Sequence, residues 1–309
     1  MQQFIFQIVQ EVFNEEPIAI QSLYGGFWAS VYRVDLLSRK VAIKIQSRSI
    51  AGPQMEQALM QQLCLVGVKT PLPIACGELE GGKGYLVMSY TEGPLLEEVW
   101  SSLPQVERKR LCYQFLEMLE KVNSVVVNGY GPLSPNLEGA FATLNDYLLY
   151  QIDHFAQNPV RAGIDNQIWD SLTVMLVEYA DEYAGTEPHL VHADFRMRNL
   201  IYDNGDLTLI DFGNALGMLP GFDFYRFTRV DRSETLLSES EIAMLTNEYT
   251  GINPHYEYER PIFQAILGMR LALFSAMTGN NRLVKVFLDD IIGAQRQLQS
   301  RSSTVSSEI

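Results

Sequence analysis

Between Leu190 and Ala215 the chain reads LVHADFRMRNLIYDNGDLTLIDFGNA, and no other stretch restricts its folding choices as much. Leu200-Ile201-Tyr202 and Leu207-Thr208-Leu209-Ile210 read as short strands, and Asn204-Gly205 between them is a strong two-residue hairpin signal. Folding back at that turn brings Asn199 and Asp211 to the same end of the hairpin, with Asp194 five positions ahead of Asn199. Phosphoryl transfer from ATP uses such a set. One carboxylate orients or deprotonates the accepting hydroxyl, while an amide oxygen and a second carboxylate hold Mg²⁺ against the phosphates.

His192-Ala193-Asp194, Asn199 and Ile210-Asp211-Phe212-Gly213 resemble the catalytic segment of the aminoglycoside phosphotransferase and choline kinase-like superfamily, relatives of protein kinases. The resemblance implies a bilobal, α+β, protein kinase-like fold. A strand-rich N-terminal lobe would bind the nucleotide, and a mainly helical C-terminal lobe would carry catalysis and the acceptor. It further implies Asp194 on the acceptor hydroxyl, Asn199 and Asp211 on the metal, and a buried scaffolding role for His192.

Upstream, Lys40 to Ile45 alternates with the period of a strand, setting Val41, Ile43 and Ile45 on one face and Ala42 and Lys44 on the other. A small residue beside a lysine suits a face that meets a nucleotide, Ala42 near the base and Lys44 on the α/β-phosphates. A helix start follows at Gly52-Pro53. Glu56, Leu59, Met60 and Leu63 then share one helical face, so Glu56 points inward and needs a partner. The resemblance makes that partner Lys44. Before the lysine strand, Leu23 to Val34 reads as strand, turn, strand; Gly25 and Gly26 let backbone N–H groups approach phosphate, and Ser30 offers a hydroxyl. Tyr85 to Gly93 resembles the hinge of these kinases, with Met88 backing the adenine pocket and the Ser89 and Thr91 backbones as adenine contacts.

Only twelve positions separate Asp211 from Asp223, and no Ala-Pro-Glu follows, so the long activation segment of protein kinases is missing. Asp223 looks like the family's aspartate that hydrogen-bonds the catalytic-loop backbone. Arg196 occupies the place of the protein-kinase catalytic-loop lysine, and by that resemblance neutralises the transferring phosphoryl group. Arg198 pairs with a carboxylate of the protein or of the acceptor. Arg226, Arg229 and Arg232 read as salt bridges to Asp231, Glu234 and neighbours.

The charge is uneven. Residues 1–93 hold 8 acids and 7 bases, whereas 94–309 hold 29 and 16. Within 134–190 nine acids face one arginine, Arg161, which reads either as a solvated surface or as a rim attracting a cationic acceptor. A pI near 4.7 disfavours nucleic acid as a partner. No uncharged apolar run approaches the ~20 residues of a membrane span, and the first residues lack a basic signal-peptide region. Cys64, Cys76 and Cys112 read as reduced core thiols of a cytoplasmic protein. Trp28, Trp100 and Trp169 read as packing residues.

These readings predict a nucleotide lobe over 1–93, a helical catalytic and acceptor lobe over 94–299, and a disordered Ser-rich tail over 300–309. Helical periods run over 106–126, 144–156, 168–183, 241–249, 262–277 and 283–298. The function expected is O-phosphotransfer from ATP, with Mg²⁺, to a hydroxyl of a small molecule. The alternative is a kinase-like nucleotide-binding protein that transfers nothing. Degenerate kinases usually lose one of the Lys, Asp, Asn and Asp; Lys44, Asp194, Asn199 and Asp211 are all present.

Overall fold

The structure is a computed structural model and describes residues 2–25, 29–47, 51–229 and 236–305. Helix α1 (Gln2–Phe13) precedes strands β1 (Ala19–Gly25), β2 (Ala29–Asp35) and β3 (Lys40–Gln46). Helix α2 (Ala51–Leu65) and strands β4 (Pro73–Leu79) and β5 (Lys83–Ser89) follow. The five strands form one antiparallel sheet in the order β1-β2-β3-β5-β4. The alternation of β3 is what makes it two-sided. Val41, Ile43 and Ile45 pack with Ile5, Ile8 and Val9 of α1 in a small core of their own. The opposite face carries Ala42 and Lys44, and Ala42 pairs directly with Met88 across the β3–β5 ladder.

The connection out of this lobe is tied to the hairpin seen in the sequence. That hairpin, numbered in chain order below, pairs Leu200 with Leu209 and Asp203 with Asp206. Tyr202 N–H donates to Pro94 O at 2.9 Å, and Leu209 N–H to Lys69 O at 2.9 Å. Gly93 turns at φ +116°, and a Cβ there would run into the Tyr202 carbonyl oxygen. Gly93→Ala therefore combines a backbone clash with an unfavourable φ. We expect it to cost about 1–3 kcal/mol, read as a lower denaturant midpoint; an unchanged midpoint would mean that the linker shifts freely.

The rest of the chain is mainly helical: α3 (Leu96–Val99), α4 (Gln105–Asn123), α5 (Leu144–Ala156), α6 (Asn166–Glu182), α7 (Gly221–Thr228), α8 (Glu239–Ile252), α9 (Tyr256–Met277) and α10 (Asn281–Val305). Short strands β6 (Tyr130–Leu133), β7 (Gly139–Phe141), β8 (His189–Val191) and β11 (Leu216–Met218) form a second sheet. The hairpin strands are β9 (Leu200–Asp203) and β10 (Asp206–Leu209). Ser238 caps α8 by a reciprocal exchange with Glu241, its N–H donating to Oε2 at 2.7 Å. Beneath the hairpin an aromatic stack fixes the loop ahead of it: Phe115 stacks on Phe227 and meets Phe195 edge-on.

Two expectations are corrected here. The Ser-rich stretch from 300 does not leave the fold at once, because α10 continues to Val305; residues 306–309 lie outside the described residues. Nor are the cysteines all core thiols. Cys112 is buried, Cys76 is intermediate and Cys64 is exposed, and all three are free. Trp100 and Trp169 are buried as packing residues, while Trp28 lies outside the described residues. Among the described residues no helix is long and apolar enough to cross a membrane.

Candidate active site

Lys44 leaves the cleft face of β3 and is almost wholly buried. Its Nζ lies 2.9 and 2.8 Å from the two Glu56 oxygens and 2.8 Å from Asp211 Oδ1. Glu56 stands on α2, 2% exposed, as its place on the apolar stripe requires. Gln46 Nε2 also donates to Glu56 Oε1. Gln46 sits two positions beyond Lys44 on the same strand face, and that spacing was the signal that could have identified it. Burial alone would lower the Lys44 ammonium, but Asp211 and Glu56 outweigh it and hold its pKa above the ordinary lysine value. Burial raises the Glu56 carboxyl, against the pull of Lys44.

The loop between β8 and β9 is held from beneath by α7. Asp223 is fully buried; its Oδ2 accepts from His192 N–H at 2.6 Å and its Oδ1 from Ala193 N–H at 2.8 Å. Burial pushes this carboxyl up to about 7 against those two N–H groups. His192 Nε2 lies 3.0 Å from Ile210 O, and its Nδ1 accepts from Asp194 N–H at 3.3 Å. Those partners select the neutral Nε2–H tautomer, and burial lowers the imidazole pKa in the same direction. Ala193 and Asp211 both occupy the left-handed region, φ +60° and +66°. Two non-glycine residues there, one on each side of the His192–Ile210 bond, are strain held by the surrounding hydrogen bonds.

Asp194 is the hub of this loop. Its Oδ1 lies 2.8 Å from Arg196 Nε and 3.2 Å from Arg226 Nη2. Its Oδ2 accepts from Arg196 Nη2 at 3.0 Å, Asn199 Nδ2 at 3.1 Å and Arg198 Nη2 at 3.3 Å. Asn199 Nδ2 also donates to Asp194 O at 2.8 Å. With its nitrogen so engaged, the amide of Asn199 has its oxygen left for another partner. The hairpin places that residue beside the segment carrying Asp211, since Ile210 N–H donates to Asn199 O at 3.0 Å. Lys44, by its charge and its hydrogen bond, holds the Asp211 carboxyl low, at about 2, against the opposing effect of burial, with Arg198 a smaller contributor. An amide oxygen and an ionised carboxylate at one hairpin end are hard oxygen donors of the kind Mg²⁺ takes alongside substrate phosphates. Among the described residues no group of three or more His, Cys, Asp or Glu could hold a metal by itself.

Most of the expected residues therefore fall into two hydrogen-bonded groups, Lys44–Glu56–Asp211 and Asp194–Arg196–Asn199, joined through the Ile210 N–H to Asn199 O bond. Ala42 and Met88 are paired on adjacent strands of the sheet that carries Lys44. Ser89 ends β5, where its hydroxyl, not its carbonyl, accepts from Leu72 N–H at 2.8 Å; Thr91 follows in the linker. Gly25 ends β1 and pairs with Ser30 of β2. Gly26 lies outside the described residues. The arginines after Asp223 differ from expectation. Arg226 reaches back to Asp194, and Arg229 pairs with Asp290; Arg232, Asp231 and Glu234 lie outside the described residues. Several acids of the 134–190 stretch have structural partners. Asp146 accepts from the Thr143 hydroxyl at 2.7 Å, Asp165 caps α6, and Glu182 accepts from Tyr258 at 2.7 Å.

A five-stranded sheet carrying a buried Lys–Glu pair, joined by a short linker to a helical lobe with this loop and hairpin, defines the protein kinase-like class. A family model described as the phosphotransferase enzyme family matches residues 19–261. The chain belongs to this family. Hygromycin-B 4-O-kinase of Escherichia coli is 22% identical over 204 residues, covering 64% of this chain and 58% of that relative's length. Among solved structures, aminoglycoside phosphotransferase APH(4)-Ia superposes with a TM-score of 0.77 at 17% identity, covering 96% of this chain and 99% of that one. A thermostable mutant of it, in ternary complex with ADP and hygromycin B, gives 0.76 at 16% identity over 94% and 98% of the two chains. An aminoglycoside phosphotransferase in complex with GDP and kanamycin gives 0.65 at 16% identity over 98% and 99%.

Proposed function

We propose that this protein is an ATP:alcohol phosphotransferase that moves the γ-phosphate to a hydroxyl of a small molecule. The observation that carries the reading is that Lys44, from the N-terminal sheet, bonds Asp211, while the Ile210 N–H to Asn199 O bond sets Asp211 beside the Asn199–Asp194 pair. Membership of the phosphotransferase family supports it, as do the nucleotide complexes of its structural neighbours.

In this reading adenine lies between the β-sheet and the linker, over Ala42 and against Met88. The Ser89 carbonyl and the Thr91 N–H meet its edge. Gly25 and Ser30, paired at the end of the β1–β2 ladder, cover the phosphates. Lys44, oriented by Glu56 and Gln46, holds the α/β-phosphates, because an ammonium locked by a buried carboxylate loses little freedom on binding. Asn199 Oδ1 and Asp211 would hold Mg²⁺, which supplies charge neutralisation on the phosphates when bound. Asp194 orients the acceptor hydroxyl and takes its proton as the acceptor oxygen bonds to the γ-phosphorus and the bond from that phosphorus to the β-phosphate oxygen breaks, releasing ADP. Arg196 stabilises the charge on the transferring group.

The test is turnover of Mg·ATP by the purified protein against a panel of aminoglycosides, amino alcohols, sugars and sugar acids, followed by ADP release and product mass. A phosphorylated acceptor supports the reading. Tight nucleotide binding with no transfer to any acceptor would favour a nucleotide-binding protein without transferase activity.

A further inference from the structure

Three arginines converge on Asp194, and they do not occupy equivalent places. The Arg226 and Arg196 side chains are 5% and 12% exposed, packed around the carboxylate, whereas the Arg198 side chain is 38% exposed. Arg198 sits on the short turn Met197–Asn199, between two buried residues, and its side chain is the most exposed of the three. Its contact with Asp194 is one hydrogen bond from one nitrogen at 3.3 Å. A guanidinium carries five N–H donors in a planar fork that suits a carboxylate or phosphate in bidentate fashion. A cationic acceptor would bring its ammonium toward a carboxylate already surrounded by guanidinium groups. Of the acids that a rim for a cationic acceptor would use, Asp146 and Asp165 are engaged at helix caps and Glu182 accepts from Tyr258.

We propose that Arg198 is the acceptor-side anion site: it binds a carboxylate or phosphate of the acceptor a few bonds from the hydroxyl that Asp194 addresses. This rests on the phosphotransferase reading and narrows it to anionic acceptors, away from the polycationic aminoglycosides bound by the structural neighbours.

The experiment uses the full chain with Mg·ADP for calorimetry and Mg·ATP for kinetics. The probes are two matched sets, glucuronate, glucose and glucosamine, and glycerate, glycerol and 2-amino-1,3-propanediol. The acid of at least one set is expected to bind about ten- to hundredfold more tightly than its neutral and cationic partners, the range of a charge-assisted contact. Arg198→Gln should remove that preference, with the loss in the acceptor's KM or Kd. Arg198→Lys, which keeps the charge, should retain part of it.

Preference for the amine, or equal binding of all three charge types, overturns the proposal. So does an Arg198→Gln effect confined to the KM for ATP, which would assign the guanidinium to the nucleotide phosphates. Phosphorylation without acid preference removes the anion site and leaves the phosphotransferase reading standing. Acid binding that depends on Arg198, with no transfer to any probe, does the reverse.

Discussion

Asp194→Asn is expected to lower kcat by about two to four orders of magnitude while Mg·ATP binding persists, the range for losing a positioned acid/base group. The nucleotide contacts proposed for Lys44, Asp211 and the linker do not pass through Asp194, so calorimetry with Mg·ATP should change little. The amide keeps the shape and one oxygen that accepts a hydrogen bond, but it removes the negative charge facing Arg196, Arg198 and Arg226. A stability loss of about 1–3 kcal/mol should accompany the change, from weakened pairing of a buried guanidinium. Thermal unfolding separates that loss from the chemistry. A folded variant that turns over at the wild-type rate would remove Asp194 from the acceptor role.

Asp211→Asn is the second large effect. Transfer should fall below detection, because the proposed Mg²⁺ site loses its anionic oxygen where negative charge must be neutralised. The same substitution has a signature that needs no substrate. Lys44 holds the Asp211 carboxyl at about 2, below the ordinary carboxylate range. A depressed folded-state pKa contributes stability that is present above the unfolded value, near ~4, and is lost as pH falls toward ~2. Wild type should therefore lose part of its advantage over Asp211→Asn across that acid window, as followed by denaturant titration at stepped pH. A constant stability gap from neutral pH to pH ~2 would mean that the Lys44–Asp211 pair contributes nothing differential to folding. Undiminished transfer by the variant would remove Asp211 from the metal site.

The parts legible in the sequence are those encoded by short-range spacing. Two apolar runs around Asn204-Gly205 specify the β9–β10 hairpin, and with it the approach of Asn199 to Asp211, because a two-residue turn leaves only one register. Period-2 alternation separates Lys44 from Val41 and Ile43. Helical spacing turns Glu56 inward, where burial obliges it to find a cation. Family resemblance supplied the Asp223 contact with the loop backbone, and the hydrogen bonds to His192 and Ala193 are there.

Tertiary structure decided what depends on docking between distant elements. Arg226 follows Asp223 by three positions on α7, and a local reading pairs it with acids nearby. Packing α7 under the 192–199 loop instead carries its guanidinium to Asp194, 32 residues away in sequence. Helix α1 has no chemical motif, yet its apolar face closes one side of the five-stranded sheet. The Ser-rich end from 300 to 305 stays helical as the continuation of α10, which packs along α9 over much of its length. In each case sequence period sets which face is apolar, while the partner covering that face, and the charges it brings, follow from how the elements assemble.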